Sequence, residues 1–232
     1  MKLYYILAFG TLLCSQLCSS ASAAMASEEP YNSGIVIRWK DCKQRIDGFG
    51  IAQAGWAKEL FAFKNREQVM DKMFGKDGLR LNILRGEIFP HYWENETDKD
   101  FNLNDDIHIE LSDSDFINKS DDLLRRGQLW LTLKAKNKYH ISKLVFSTWS
   151  APAWMKSNGK VSNGRLKTEC YTDFANYLAA FYNAYKSKGI APYAISPSNE
   201  PGYAAPWNSS LWTADEMGKF ITSYLGPTFR KE

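Results

Sequence analysis

Short apolar runs and amphipathic helical stripes take turns along this chain, and that alternation constrains the fold more than any single residue. The helical period is clearest at Tyr171, Phe174, Ala175, Leu178, Phe181, Tyr182 and Tyr185. They recur at i, i+3, i+4 and i+7, the spacing of one apolar helix face. Gly189 stands where that helix would end, and Tyr193 to Ser196 reads as the next strand. Upstream, Arg45 to Ile51 reads as a strand with Gly48 and Gly50 placed for close backbone approach. Asn65 and Gln68 mark a helix start, Val69, Met70, Met73 and Phe74 its inward stripe, and Gly75 its end. Leu79 to Ile88 predicts a strand. Leu123, Leu124, Trp130 and Leu131 predict a helix face, Lys143 to Trp149 another strand, and Thr213 to Leu225 a last helix. Four β-then-α units in succession imply an α/β fold with a parallel sheet and right-handed crossovers. Functional residues of such sheets stand past the C-terminal ends of the strands.

The amino terminus has a different character. Lys2, the apolar run Leu3 to Leu13 and the small-x-small triplet Ala21-Ser22-Ala23 form a signal-peptide pattern over 1–23. The run is too short to span a bilayer, so secretion is expected, with lysosomal delivery as the other destination. Cys14 and Cys18 fall within that segment. Cys42 and Cys170 remain, either bridged or as two buried thiols. Ser33 to Trp39 alternates apolar and polar residues, as a half-exposed antiparallel strand does. Charges of both signs are interspersed and sum to +3, which gives no basic stripe for nucleic acid. Sequons at Asn95, Asn118 and Asn208 are expected at the surface of a glycoprotein.

The candidate chemistry lies at Ser196-Pro197-Ser198-Asn199-Glu200-Pro201. Pro197 pushes Ser196 into an extended conformation, and Pro201 removes a backbone donor and ends the ladder. A strand thus leaves its sheet carrying a carboxylic acid. The other strand ends bear Gln53, Arg85 and Trp149, and Trp93, Trp154, Trp207 and Trp212 occupy loops on the same side. An acid, a hydrogen-bonding shell and flat apolar surfaces suit a sugar ring. His91, His108 and His140 lack metal-ligand spacing, and no cofactor motif appears, so neither metal nor cofactor is expected.

Four motifs occur in order: Ile46-Asp47-Gly48-Phe49-Gly50, Leu79 to Arg85, Ser147-Thr148-Trp149-Ser150-Ala151-Pro152-Ala153-Trp154-Met155-Lys156, and Ile195 to Pro201. Together they resemble glycoside hydrolase family 30, which includes glucosylceramidases, glucuronoxylanases, β-1,6-glucanases and β-1,6-galactanases. The resemblance implies a (β/α)8 TIM barrel of which the first four βα units are present over 45–232. It also implies a β-sandwich side domain to which 24–44 contributes a strand. It implies retaining hydrolysis of β-glycosides, with Glu200 as acid/base and Asn199 on the sugar 2-hydroxyl. Arg85 would orient the nucleophile, Trp149 would floor the subsite, and Trp154 would add to substrate binding.

The family's nucleophile is a Glu on the seventh barrel strand, and the sequence stops after the fourth unit. A truncated, inactive chain is therefore the expectation for the isolated 232 residues. Ser-Pro-x-Asn-Glu-Pro, with Gly50-Ile51-Ala52-Gln53-Ala54 in place of Gly-Gly-Ala, leans towards a polysaccharide or glycan substrate. A sphingolipid glucoside is the alternative, and a non-catalytic carbohydrate-binding half-barrel a second one.

Overall fold

The computed structural model of the chain describes residues 38–53, 56–90 and 127–231. The signal segment, the Ser33–Trp39 strand up to residue 37, the sequons at Asn95 and Asn118, Trp93, His91, His108, Leu123 and Leu124 lie outside them. The chain divides into two units, Met1–Arg45 and Ile46–Glu232. In the first, a turn returns the Asp41 N–H to the Arg38 carbonyl at 3.0 Å, and Lys43 pairs with Asp41 in solvent.

The second unit is a parallel sheet with strands in sequence order. These are β1 (Gly50–Ala52), β2 (Ile83–Ile88), β3 (Lys143–Thr148) and β4 (Ala194–Ser196). Leu84 pairs with Leu144 and Gly86 with Phe146, which sets these residues on one face under the helices. There Phe146 meets Phe181 and Tyr185 at ring distances of 5.0 and 4.9 Å. Ile83, Arg85 and Val145 lie on the other, half-buried face. A side chain at Gly86 would strike the Phe146 ring at 2.6 Å, so the close packing of this strand depends on its glycine.

The helices are α1 (Ala57–Ala62), α2 (Arg66–Phe74), α3 (Gly127–Tyr139), α4 (Tyr171–Ser187), α5 (Ala214–Phe220) and α6 (Gly226–Phe229). The α4 stripe is buried as its period predicts, apart from Tyr182, which is half-exposed under the Lys186 ammonium. Tyr177, outside the stripe as read from sequence, is buried too, and its hydroxyl donates to the Phe89 carbonyl. At the end of α4, Gly189 takes φ +79°, the left-handed conformation that closes many helices.

Boundaries differ from expectation. The strand expected over Arg45 to Ile51 forms only at Gly50–Ala52, because the Phe49 N–H is taken by the Asn82 side-chain oxygen at 2.9 Å and not by a strand ladder. The strand expected from Leu79 begins only at Ile83, because the preceding N–H groups turn back to α2. Leu79 donates to the Lys72 carbonyl and Leu81 to that of Met73, with Arg80 at φ +53°. Asn65 does stand at the N-terminus of α2, but its side chain makes no cap bond there. At α5, by contrast, Thr213 and Glu216 form a reciprocal capping box. The final helix also runs further, through a π-turn over Ile221–Leu225 into α6. Pro227, without an N–H, breaks the ordinary ladder, and the Gly226 N–H reaches back five residues to Ile221.

Two walls hold helices together. Tyr171, Phe174, Trp212, Phe220 and Tyr224 pack ring on ring between α4 and the α5 segment, with Phe174 and Phe220 at 5.3 Å. Between α2 and α3, Glu67 receives Lys134 at 2.8 Å and Lys138 at 3.1 Å. Asp71 there receives Lys138 at 3.0 Å and the Tyr139 hydroxyl at 2.7 Å.

Cys42 is exposed and Cys170 buried, and the two are not bridged. The alternative of two buried thiols does not hold, since Cys42 is exposed. No helix among the described residues is long and apolar enough to cross a membrane.

Candidate active site

Glu200 leaves β4 four residues past its last strand residue, in a segment held by the neighbouring strand end. The Asn199 N–H donates to the Thr148 carbonyl at 2.7 Å, extending the β3–β4 pairing by one bond. Ser196 and Ser198 hydroxyls donate to the carbonyls of Ser198 and Asn199. Glu200 itself adopts φ +41°, a region that non-glycine residues enter at a cost of order 1–3 kcal/mol. Its side chain is exposed, on the side of the sheet from which all four strands exit.

Three of the expected partners converge on it. Arg85 donates through Nη2 to Asn199 Oδ1 at 2.7 Å, and Asn199 Nδ2 donates to Glu200 Oε2 at 3.2 Å. The Arg85 guanidinium lies over the Trp149 ring at 4.6 Å. Arg85 comes from the middle of β2, Trp149 from the residue after β3, and Asn199 and Glu200 from beyond β4. The relay fixes Asn199 by its oxygen and leaves one of its two amide hydrogens for a ligand.

Other expected site residues go elsewhere. Trp154 lies on the short helical turn Ala153–Met155 and packs half-buried against the core, while its carbonyl accepts from Lys167. Trp212 is buried in the aromatic wall. Gln53 extends the β1–β2 ladder through its N–H, and its buried amide donates to Thr132 on α3. It therefore serves the helix layer. Trp207 remains exposed. Asn208 is half-buried, with Ser210 of its sequon buried. Among the described residues no cluster of His, Cys, Asp and Glu is arranged to hold a metal ion.

Sequence reasoning gave Lys156 no role, yet it is fully buried, and its ammonium donates to Ser150 Oγ at 3.0 Å and to the Ser209 carbonyl at 2.7 Å. Burial pulls its pKa down to about 8. It ties the loop after β3 to the loop after β4, the two loops that flank Trp149 and Glu200. A lysine directly after the apolar pair Trp154-Met155 was the available signal.

The family description "Glycosyl hydrolase family 30 TIM-barrel domain" matches residues 46–232. The chain is 29% identical over 221 residues to Caenorhabditis elegans "Putative glucosylceramidase 3", covering 89% of this chain and 41% of that protein. It is 27% identical to Bacillus subtilis "Glucuronoxylanase XynC", covering 93% of this chain and 43% of that protein. Among solved structures, SrfJ from Salmonella typhimurium superposes with a TM-score of 0.65 at 26% identity, over 84% of this chain and 45% of that one. The chain thus spans well under half the length of these relatives, and its four βα units are part of a TIM barrel.

Proposed function

Because the chain belongs to glycosyl hydrolase family 30, we propose that it carries the acid/base half of a retaining β-glycoside hydrolase site acting on a polysaccharide or other glycan. The observation that supports this reading is the Arg85–Asn199–Glu200 relay at the strand exits. In the first step the Glu200 carboxylic acid gives its proton to the leaving glycosidic oxygen. A second carboxylate, about 5–5.5 Å away, attacks the anomeric carbon as the C–O bond breaks. The family resemblance assigns that carboxylate to a Glu on the seventh barrel strand, outside the four βα units of this chain. In the second step the Glu200 carboxylate takes a proton from water, the water oxygen bonds to the anomeric carbon, and the second carboxylate departs. The remaining Asn199 amide hydrogen meets the sugar 2-hydroxyl, a contact that strengthens in the transition state. Arg85 holds Asn199 in register and keeps a positive charge beside the nucleophile.

The proposal includes a leader over 1–23, secretion, and a side-domain strand within 24–44, supported by the residue patterns alone. The relative named as a putative glucosylceramidase keeps a glycolipid reading in view. Kinetics of the full-length protein on glucosylceramide in detergent, set beside soluble β-glycans, separate the two.

The test of the role of Glu200 is the Glu200→Ala variant of the full-length protein. Hydrolysis of β-glycans falls by roughly two to four orders of magnitude, the usual contribution of a positioned acid or base. Azide then restores turnover of an activated aryl β-glycoside and yields a β-glycosyl azide. Undiminished glycan hydrolysis, or an α-azide, defeats the proposal.

A further inference from the structure

Directly behind Glu200 the chain makes a loop with both ends tied together. The Tyr203 N–H donates to the Glu200 carbonyl at 2.9 Å, and the Trp212 N–H donates to the Pro201 carbonyl at 2.9 Å. Such a compact loop with adjacent ends has the form of an Ω-loop. Its hub is the buried Ser209. The Ser209 hydroxyl donates to the Ala205 carbonyl and accepts from the Asn163 N–H. Its N–H donates to the Val161 carbonyl, and its own carbonyl takes the Lys156 ammonium. Ala205 is buried as well, so the backbone on both sides of Pro206-Trp207-Asn208 is anchored.

This anchored loop holds two rings in water. Tyr203 is 50% and Trp207 54% exposed, and they meet edge to face at 6.1 Å. Large aromatic side chains normally lend their area to a core. Here the two stand on an anchored backbone and rest edge to face on each other, which lowers the cost of ordering them for a ligand. The Tyr hydroxyl and the indole N–H rim that surface with polar groups. A face of this kind fits the C–H face of a pyranose ring with its hydroxyls turned to the rim. A lipid tail needs a continuous apolar groove instead.

We infer that Tyr203 and Trp207 form a sugar-binding subsite for the unit on the leaving-group side of Glu200, so that the substrate is a glycan chain extending past the scissile bond. The side is assigned by chemistry and connection. An acid that protonates the leaving oxygen stands on the aglycone side. The loop begins at the next residue and is tied back to the Glu200 carbonyl by the Tyr203 N–H, so we assign it to the same side. The inference rests on the hydrolase reading for its orientation but on the loop alone for its sugar affinity.

The experiment compares Trp207→Ala and Tyr203→Ala with the unchanged full-length protein on β-linked oligosaccharides and on a β-glycosyl fluoride, whose leaving group carries no ring. The oligosaccharide-to-fluoride ratio of kcat/KM is expected to fall about tenfold in each, as for truncation of an aromatic hot spot. An unchanged ratio overturns the subsite and leaves the hydrolase intact. A separate arm uses electrophoresis through gels holding soluble xylan or β-1,6-glucan, with all proteins in the Glu200→Gln background. Retardation that is weakened by Trp207→Ala supports the subsite even where no hydrolysis is found. Retardation indifferent to both substitutions, or a loss confined to glucosylceramide micelles, overturns it. Thermal melts of the variants at the unchanged temperature show that the folds are intact.

Discussion

The two helix walls of the barrel segment are built by opposite means. Between α4 and the α5 segment, rings bury their faces in one another. Between α2 and α3, carboxylates and ammonium groups meet in solvent, with side chains about half exposed. Buried apolar area contributes roughly 25 cal/mol per Å², whereas an exposed ion pair contributes about 0–1 kcal/mol. The difference teaches that the wall with the longer roll of named polar contacts is the weaker one. It also assigns jobs. The aromatic wall carries the frame that Glu200 springs from, and the ionic wall keeps α2 and α3 in register.

The largest expected effect breaks the aromatic wall. Phe174, fully buried among Tyr177, Trp212 and Phe220, leaves a cavity when cut to alanine. Phe174→Ala is expected to lower unfolding free energy by about 3–5 kcal/mol, read by urea titration of the full-length protein. A loss below 1 kcal/mol would erase the contrast between the walls.

Next comes Lys156, a charge placed beside apolar packing. Its folded pKa of about 8 lies below the unfolded value of 10.5, so the folded state is disfavoured while the group is protonated. Stability therefore rises as pH climbs from about 8 to about 10.5, by up to about 3 kcal/mol from this group. The Lys156→Met variant, lacking the titration, shows a profile flatter by that amount. Identical slopes for the two proteins would sink the assignment.

The smallest effect belongs to the ionic wall. The carboxyl of Glu67 is held below its usual range mainly by its hydrogen bond to Lys134, with Lys138 adding to it. A depressed carboxylate contributes stability above its unfolded pKa and loses it as pH falls through the folded one. Because Glu67 is about half exposed, Glu67→Gln is expected to change stability by under about 0.5 kcal/mol, and less in 1 M salt. A salt-independent loss above 2 kcal/mol would mean that the two walls are alike.

The sequence displayed the features that rest on repetition. The α4 stripe, the order of strands and the Asn199-Glu200 exit all follow from spacing and local stereochemistry. What it hid depends on chain segments meeting from afar. Lys156 is buried because the loop around Ser209 folds over it, and nothing in Trp154-Met155-Lys156 announces that partner. The late start of β2 comes from α2 carbonyls reclaiming N–H groups. Trp212 reads like Trp207 in sequence, yet one closes the aromatic wall and the other stands in water. Arg85, Asn199 and Glu200 were legible one by one. Their bonding as a relay was not, since side chains 114 residues apart meet only in the folded sheet.

The left-handed backbone at Glu200 sets stability against the proposed chemistry at a single codon. A glycine there would relax the chain by about 1–2 kcal/mol, and it would remove the carboxyl. Random substitution followed by selection for a sturdier fold alone would tend to discard this glutamate. Libraries of the protein screened only for thermal tolerance should therefore accumulate Glu200→Gly. Screens for turnover should eliminate it.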